Sequence, residues 1–166
     1  MIKKIILTLF CASTIFAQSA GNTGVSFLKL GFGARNIALS DLGVVGTNDL
    51  SAAYYNPAYL SYLPKTQISF THNSLFSDLN SEMLGSSFQL FGLNMGLILN
   101  TTSINDIEVR NVPGEALTKI SANYFAGGLS AGFGIAENVH IGATYKVIYE
   151  SLFSDQATGY AFDFGA

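Results

Sequence analysis

Residues 139–150 read VHIGATYKVIYE, and this stretch decides the fold class. Apolar side chains occupy every second position from Val139 to Tyr149. The other face carries mostly polar or small residues, namely His140, Gly142, Thr144, Lys146 and Glu150. Successive side chains of a strand point to opposite sides of its sheet. The alternation therefore predicts a β-strand with one apolar and one polar face.

The same period of two recurs in five other segments. These are residues 66–72, 84–91, 93–102, 121–135 and 158–164. We therefore predict an all-β, antiparallel fold with about six strands, each near the 9–11 residues that a tilted strand needs to cross a bilayer. In the third strand of this set, Ile98 breaks the pattern because it is an apolar residue on the predicted polar face.

The composition is unusual for a soluble domain. Charged residues make up 11% of the chain and hydrophobic residues 49%, whereas roughly 25% charged residues are typical of soluble proteins. Outside the N-terminus no apolar run approaches about 18 residues, so no transmembrane helix is expected. The formal net charge of −3 argues against a nucleic-acid partner, which would require a basic face. Apolar composition without long apolar runs is typical of membrane-spanning strands.

The N-terminus has the three parts of a secretory signal peptide. Lys3 and Lys4 form the positive region, residues 5–12 form the apolar core, and Ala17 ends a plausible cleavage site. The apolar core is too short for an anchor helix. The only cysteine, Cys11, would leave with the signal, so the mature chain would have neither a disulfide nor a thiolate site. We expect export to the outer membrane of a Gram-negative cell.

The expected organisation has three parts. Residues 1–17 are the signal peptide, residues 18–63 are a lead and a hatch, and residues 64–166 are the first strands of an outer-membrane β-barrel. The hatch is rich in glycine and small residues, and we predict that it folds into the barrel lumen. Its closing motif is Asn56, Pro57 and Ala58.

Local signals predict short elements inside the hatch. Residues 34–39 favour one or two helical turns, and residues 43–46 a short strand. Asp49 or Ser51 would cap a short helix over residues 52–54. Pro57 would end that helix, because the residue before a proline avoids the helical conformation.

Two architectures fit the alternating strands. A soluble β-sandwich also alternates, but the export signal, the low charge of the polar faces and the many strand glycines favour a transmembrane barrel. Long polar links at residues 73–82 and 102–119 alternate with tight turns at 91–92 and 136–138, an asymmetry typical of outer-membrane barrels. Since the smallest such barrels have about eight strands, we expect an incomplete barrel, the N-terminal part of a longer one.

Polar side chains on the predicted lumen face are the candidate site residues. They are Gln89, Asn94, Asn100, His140, Lys146, Glu150 and Asp163. The charged members could form a ring that tunes passage or, as we favour, ion pairs that hold strands or seat the hatch. Arginine at Ile141 or Leu97 should destabilise the barrel at the bilayer midplane, whereas Thr144→Arg on the lumen face should be tolerated far better.

No catalytic, cofactor-binding or metal site is predicted. The histidines, His72 and His140, lack metal-ligand spacing and cysteine partners. Ser130, His140 and Asp163 share the predicted lumen face, but nothing in the sequence places them within reach of one another, as nucleophilic catalysis requires. We therefore expect no enzyme and no cofactor.

Four segments, in this order along the chain, resemble the PorV/PorQ family of FadL-like barrels. They are FLKLGFGAR (Phe27–Arg35), Asn48-Asp49, AAYYNPAYL (Ala52–Leu60) and YAFDFGA (Tyr160–Ala166). One departure is Tyr59, which stands where the family usually has glycine. The resemblance implies a barrel of about fourteen strands with an N-terminal segment folded into its lumen.

The same resemblance implies a role in type IX protein secretion or in surface display of cargo. The implied partners are outer-membrane lipid, secretion-system proteins and secreted cargo. The alternative is a FadL-like channel, whose partner would be a hydrophobic small molecule.

Overall fold

The computed structural model describes residues 25–40, 49–63, 66–75, 78–111 and 113–166. The predicted signal peptide, the start of the lead and the predicted strand at residues 43–46 lie outside these residues. None of the described helices is long and apolar enough to cross a membrane.

Six antiparallel strands form one sheet in chain order, which confirms the prediction of an all-β, antiparallel fold. The strands are β1 (Gln67–Ser74), β2 (Leu79–Leu90), β3 (Leu93–Val109), β4 (Thr118–Ala136), β5 (Val139–Leu152) and β6 (Asp155–Gly165). The sheet is not closed, because β1 and β6 are its two edges rather than partners of each other.

The strands are longer than the sequence indicated, and the two predicted links are correspondingly shorter: β1 ends at Ser74 and β2 begins at Leu79, while β3 ends at Val109 and β4 begins at Thr118. β3 has 17 residues and β4 has 19. Much of residues 73–82 and 102–119 is therefore strand, and β5 joins β6 through residues 153–154 alone. The polar composition of these stretches indicated loops, but strand pairing is made by backbone groups and tolerates polar side chains where a face is not buried.

Two tight turns were predicted correctly. Phe91 (φ 52°) and Gly92 (φ 79°) join β2 to β3 with positive φ at both central positions, as in the two-residue turns that suit twisted hairpins. Residues 137–138 join β4 to β5.

The two faces of the sheet differ as the alternation predicted. The inner face, defined here as the one that contacts residues 25–40 and 49–63, carries buried small and polar side chains such as Ser130 and Thr144. The outer face carries large exposed apolar side chains. Ile98 breaks the sequence pattern because its side chain belongs to the inner face, where it is 5% exposed and packs with Leu50 and Leu60.

The hatch, meaning residues 25–40 and 49–63 from here on, consists of four short helices. They are a 3₁₀ helix (Ser26–Lys29), α1 (Ala34–Ala38), α2 (Ala52–Tyr55) and a second 3₁₀ helix (Pro57–Tyr62). The two predicted α-helical turns are confirmed, with the second beginning where Asp49 Oδ1 accepts a hydrogen bond from the Ser51 N–H. Asn56 is extended (φ −145°, ψ 107°) and ends α2 before Pro57, as predicted. The 3₁₀ helix that follows was not foreseen.

Candidate functional site

The hatch meets the sheet at a row of glycines. Gly132 of β4 pairs with Gly142 of β5, and Gly142 pairs with Gly165 of β6. The three glycines therefore lie side by side across neighbouring strands on the inner face. The motif Asn56-Pro57-Ala58 rests on this row, which we call the glycine seat.

At Gly132 and Gly142 the nearest atoms of the hatch are backbone atoms, whereas Gly165 faces the Asn56 side chain. A Cβ atom on Gly142 would lie 2.6 Å from the Pro57 carbonyl oxygen and 2.5 Å from the Ala58 nitrogen. A Cβ on Gly132 would lie 2.8 Å from the same carbonyl oxygen. Real Cβ atoms do not approach other atoms so closely, so only glycine lets the hatch reach the sheet here.

Asn56 and Ser61 fix the turn that sits in the seat. The Asn56 Oδ1 accepts from the Ala58 N–H at 3.0 Å, and its Nδ2 donates to the Ala166 carbonyl at 3.1 Å. The Ser61 hydroxyl lies 2.6 Å from the Ala58 carbonyl, to which it donates. That hydroxyl has no second proton, so His140 Nδ1, 2.7 Å away, must donate to Ser61 Oγ.

A half-buried ion pair lies beside the seat. Lys146 Nζ of β5 is 2.5 Å from Asp163 Oδ2 of β6, and the two side chains are 13% and 37% exposed. The same ammonium lies 4.6 Å from the centre of the Tyr54 ring, a cation–π distance. The Tyr54 hydroxyl donates to the Leu28 carbonyl at 2.8 Å. Lys146 thus joins β5 to β6 and contacts the second part of the hatch at Tyr54, whose hydroxyl in turn reaches the first part.

Burial changes the acidity of Tyr54. Removal from water disfavours the phenolate and raises the pKa of Tyr54 well above its ordinary value, and the nearby Tyr55 and Asp163 add to the rise. The Tyr54 hydroxyl therefore keeps its proton and its hydrogen bond to a higher pH than an exposed tyrosine would.

A cluster of buried apolar side chains holds another part of the hatch against the sheet. Phe32, Leu50 and Leu60 are almost fully buried and pack with Met83 and Ile98 of the sheet. Two further glycines make room: a Cβ on Gly85 would lie 2.9 Å from Leu50, and one on Gly96 would lie 2.9 Å from Leu60. The hatch is thus held by apolar packing on β2–β3, by backbone and polar contacts on β4–β6, and by a second apolar cluster in which Phe27 packs with Ala126 of β4 and Ile148 of β5.

The remaining polar candidates are spread over the inner face. Gln89 and Asn94 are hydrogen-bonded to each other at 3.0 Å at an exposed end of the sheet. Asn100 is 1% exposed, and its Oδ1 lies 3.5 Å from Ser81 Oγ. Glu150 is half-buried near the opposite end of β5.

The serine, histidine and aspartate that share this face each contact a different residue. Ser130 is hydrogen-bonded to Thr144, His140 to Ser61, and Asp163 is paired with Lys146. Within the described ranges, no group of three or more His, Cys, Asp or Glu side chains is placed to hold a metal ion.

Neither the glycine seat nor the packing of Leu50 and Leu60 on the sheet was predicted from the sequence. A usable signal was present, because Gly132 and Gly142 occupy inward positions of strands without forming turns. The sequence predicts that Thr144 tolerates arginine, and the structure adds that its side chain is 4% exposed beneath the hatch, so an arginine there would have to displace packed neighbours.

Comparison with known proteins identifies no family for this chain. No family model, no curated protein and no solved structure matches the chain.

Proposed function

We propose that this chain forms the first strands and the hatch of an outer-membrane β-barrel that acts, like the PorV/PorQ family it resembles, in protein secretion or surface display. The observation that supports the proposal is the outer face of the sheet. It is apolar, exposed and opposite the face that the hatch occupies.

Large apolar side chains are exposed along the whole width of this face. Phe70 on β1, Leu129 on β4 and Phe162 on β6 are 68%, 48% and 67% exposed. Contiguous apolar surface of this kind marks contact with a membrane or with another protein. A soluble sandwich would cover it with a second sheet, whereas a bilayer covers it with lipid.

The height of the apolar band matches a bilayer. On β4 the outer positions from Phe125 to Ile135 are all apolar or glycine. These ten residue steps span about 34 Å at 3.4 Å per residue, or roughly 26 Å along the membrane normal at a tilt near 40°, against a typical band of about 25 Å.

Charge on the outer face begins where this band ends. Glu82 of β2 pairs in register with Thr101, and Thr101 with Phe125. Its carboxylate lies 3.4 Å from His72 on β1, and both side chains are about half exposed. Between this row and the turns at the other end, the described strands place no Asp, Glu, Lys, Arg or His on the outer face.

The proposed barrel requires partners for its two edges. The outward edges of β1 and β6 would leave unpaired backbone groups in lipid, each costing several kcal/mol. Further strands that pair with both edges and close the barrel are therefore part of the proposal.

A protruding hairpin is the proposed contact for secretion partners or cargo. Beyond Ile104 and Ala122, β3 and β4 pair only with each other. Five charged residues lie on this extension: Asp106, Glu108, Arg110, Glu115 and Lys119. A charged, two-stranded projection beyond the apolar band is suited to binding a protein in water rather than to contact with lipid.

The experiment compares the native chain with a hairpin-shortened variant. Residues 106–120 are replaced by Asn-Gly, which supports a two-residue turn between Asn105 and Ser121. We expect both proteins to fractionate with the outer membrane, and only the native chain to recover a secretion component or cargo after cross-linking. Recovery of the chain in the soluble periplasmic fraction would refute the barrel; equal recovery of partners by both proteins would refute the hairpin contact.

A second candidate function is passage of a hydrophobic small molecule, and one cavity favours it. A cavity of ≈ 340 Å³ lies between the hatch and the end of β5, within the size range of ligand pockets. Tyr59, Tyr62 and Val139 supply apolar surface, and His140 supplies a polar group. The test is uptake of long-chain compounds by cells with the native gene, with the gene deleted, and with Tyr59→Asp. Unchanged uptake after deletion would rule out this function.

A further inference from the structure

We infer that the cavity between the hatch and the end of β5 binds a neutral aromatic compound that donates a hydrogen bond, such as a phenol. The inference rests on the second candidate function, passage of a hydrophobic small molecule, and names the chemical class of the ligand. The cavity measures ≈ 340 Å³, near the lower end of the range for ligand pockets. A compound of one or two rings therefore suits it better than a long chain.

Three rings in contact form one wall of the cavity. The centre of the Tyr62 ring lies 3.9 Å from that of His140, at an angle of 38°, and 5.9 Å from that of Tyr59, at 45°. All three residues line the cavity, and Tyr62 is 54% exposed, so its ring has surface left to cover. Aromatic rings attract one another in offset and tilted arrangements beyond the effect of area burial. This wall therefore favours a flat ring over an aliphatic chain.

The contact with Ser61 determines which nitrogen of His140 accepts a hydrogen bond. Because the Ser61 hydroxyl donates its one proton to the Ala58 carbonyl, His140 Nδ1 carries the proton that reaches Ser61 Oγ. In the neutral imidazole the other nitrogen, Nε2, is then an acceptor. Among the described residues no donor is hydrogen-bonded to Nε2. A ligand with an O–H group matches this acceptor, whereas a ligand that offers only acceptors does not.

The charge of the lining side chains selects against ionised ligands. Within the part of the chain that the structure describes, the side chains that line the cavity include no Asp, Glu, Lys or Arg. Transfer of a carboxylate or an ammonium group out of water is unfavourable when no opposite charge receives it. The cavity should therefore prefer a neutral phenol to an aromatic acid, an aromatic ammonium ion or the anion of a fatty acid.

Binding of matched probes to the purified, detergent-solubilised protein tests this site. Naphthol and its methyl ether share the same rings and oxygen atom, but only naphthol has a proton to donate. The chain has no tryptophan, so naphthyl fluorescence can be excited where the protein does not absorb, and protein-free micelles correct for partition into detergent. At about pH 8, where an ordinary histidine is neutral, we expect naphthol to bind up to about tenfold more tightly than its ether, as one net hydrogen bond implies. Ionised naphthoate should bind more weakly than naphthol.

Three variants separate the hydrogen bond from the ring wall. His140→Phe keeps a ring beside Tyr62 but has no acceptor, so we expect the ratio of the two affinities to fall to about one. Tyr59→Leu removes a ring and keeps the acceptor, so both probes should bind severalfold more weakly with their ratio unchanged. Ser61→Ala keeps His140 but removes the group that fixes its proton on Nδ1, and we expect an intermediate ratio.

Equal affinities of the native protein for naphthol and its ether, tighter binding of naphthoate, or a ratio that persists in His140→Phe would overturn the inference. If His140→Phe does not fold, Ser61→Ala decides: a ratio equal to the native one overturns the inference, and a lower ratio supports it. Naphthol binding without uptake by cells would refute passage and leave the site intact. Gene-dependent uptake of long-chain compounds without naphthol binding would refute the site alone.

Discussion

A single methyl group on the glycine seat should weaken the contact between the hatch and the sheet. In Gly142→Ala the new Cβ would lie 2.5 Å from the Ala58 nitrogen and 2.6 Å from the Pro57 carbonyl oxygen. These are backbone atoms of a turn held by its own hydrogen bonds, so no side-chain rotation relieves the clash. Overpacking of this kind costs about 1–3 kcal/mol, and the intrinsic preference of a strand for alanine over glycine returns only about 0.5–1 kcal/mol.

Gly159→Ala is the matched control. Gly159 lies on β6, one of the strands that form the seat, and a Cβ there would meet no atom within 4 Å. The control should be neutral or stabilised by up to about 1 kcal/mol. We therefore expect the two alanine variants to differ by roughly 2 kcal/mol in the free energy of seating the hatch, with Gly142→Ala the weaker.

Thiol labelling measures this difference directly. A cysteine at Ala53, which is 1% exposed in the hatch, would be placed in a chain whose Cys11 is absent or changed to serine. Its reaction with a water-soluble maleimide reports how often the hatch lifts, and 2 kcal/mol corresponds to about 30-fold in that equilibrium. Equal labelling rates in Gly142→Ala and Gly159→Ala would refute the argument that backbone contact at the seat holds the hatch.

Three further changes test the other contacts. Lys146→Met leaves Asp163 without its cation. We expect the free energy of unfolding, measured with denaturant, to fall by about 1–3 kcal/mol. The fall is smaller than for a fully buried pair because the Asp163 carboxylate is 37% exposed. In lipid vesicles, Leu129→Arg should cost about 2–4 kcal/mol, whereas Asn123→Arg on the same face of β4, beyond the apolar band, should cost about 1 kcal/mol or less. Because the pKa of Tyr54 is raised on folding, native stability should fall as the pH rises above about 10, by up to 1.4 kcal/mol per pH unit, and Tyr54→Phe should flatten that fall.

Each of these has its own control and its own contrary result. Lys119 pairs with Asp106 at 2.8 Å, but both side chains are more than half exposed, so Lys119→Met should change unfolding little; equal losses at both lysines would show that Lys146 does not brace the hatch. Equal costs for the two arginine variants of β4 would mean that no bilayer covers the outer face. An alkaline stability profile that is unchanged in Tyr54→Phe would show that this phenol is not buried as a proton donor.

Much of the fold could be predicted from local patterns. Alternation over residues 139–150 depends only on the two-residue period of a strand, so the antiparallel all-β class and the polarity of each face followed from the sequence. Local chemistry also located α2, because Asp49 offers a capping carboxylate and Pro57 forbids helix in the residue before it. These signals lie within a few residues of the elements they specify.

Strand lengths and the hatch contacts could not be found in this way. The polar ends of β3 and β4 resemble loops in composition, and only the partner strand supplies the hydrogen bonds that extend them. Ile98 is an exception to the apolar–polar alternation of β3. It is apolar on the inner face because tertiary folding brings Leu60 of the hatch into the same buried cluster. Thr144 was assigned to the correct face, but its burial depends on a segment far away in sequence.

The sequence alone therefore determined which side of each strand is apolar, since that property belongs to single residues and their spacing. The tertiary structure decided what each side touches. Gly132, Gly142 and Gly165 are separate residues along the chain, and the strand register alone aligns them under Pro57. Inward glycines indicate that some segment approaches the strands closely, but which segment it is depends on the positions of all three strands at once.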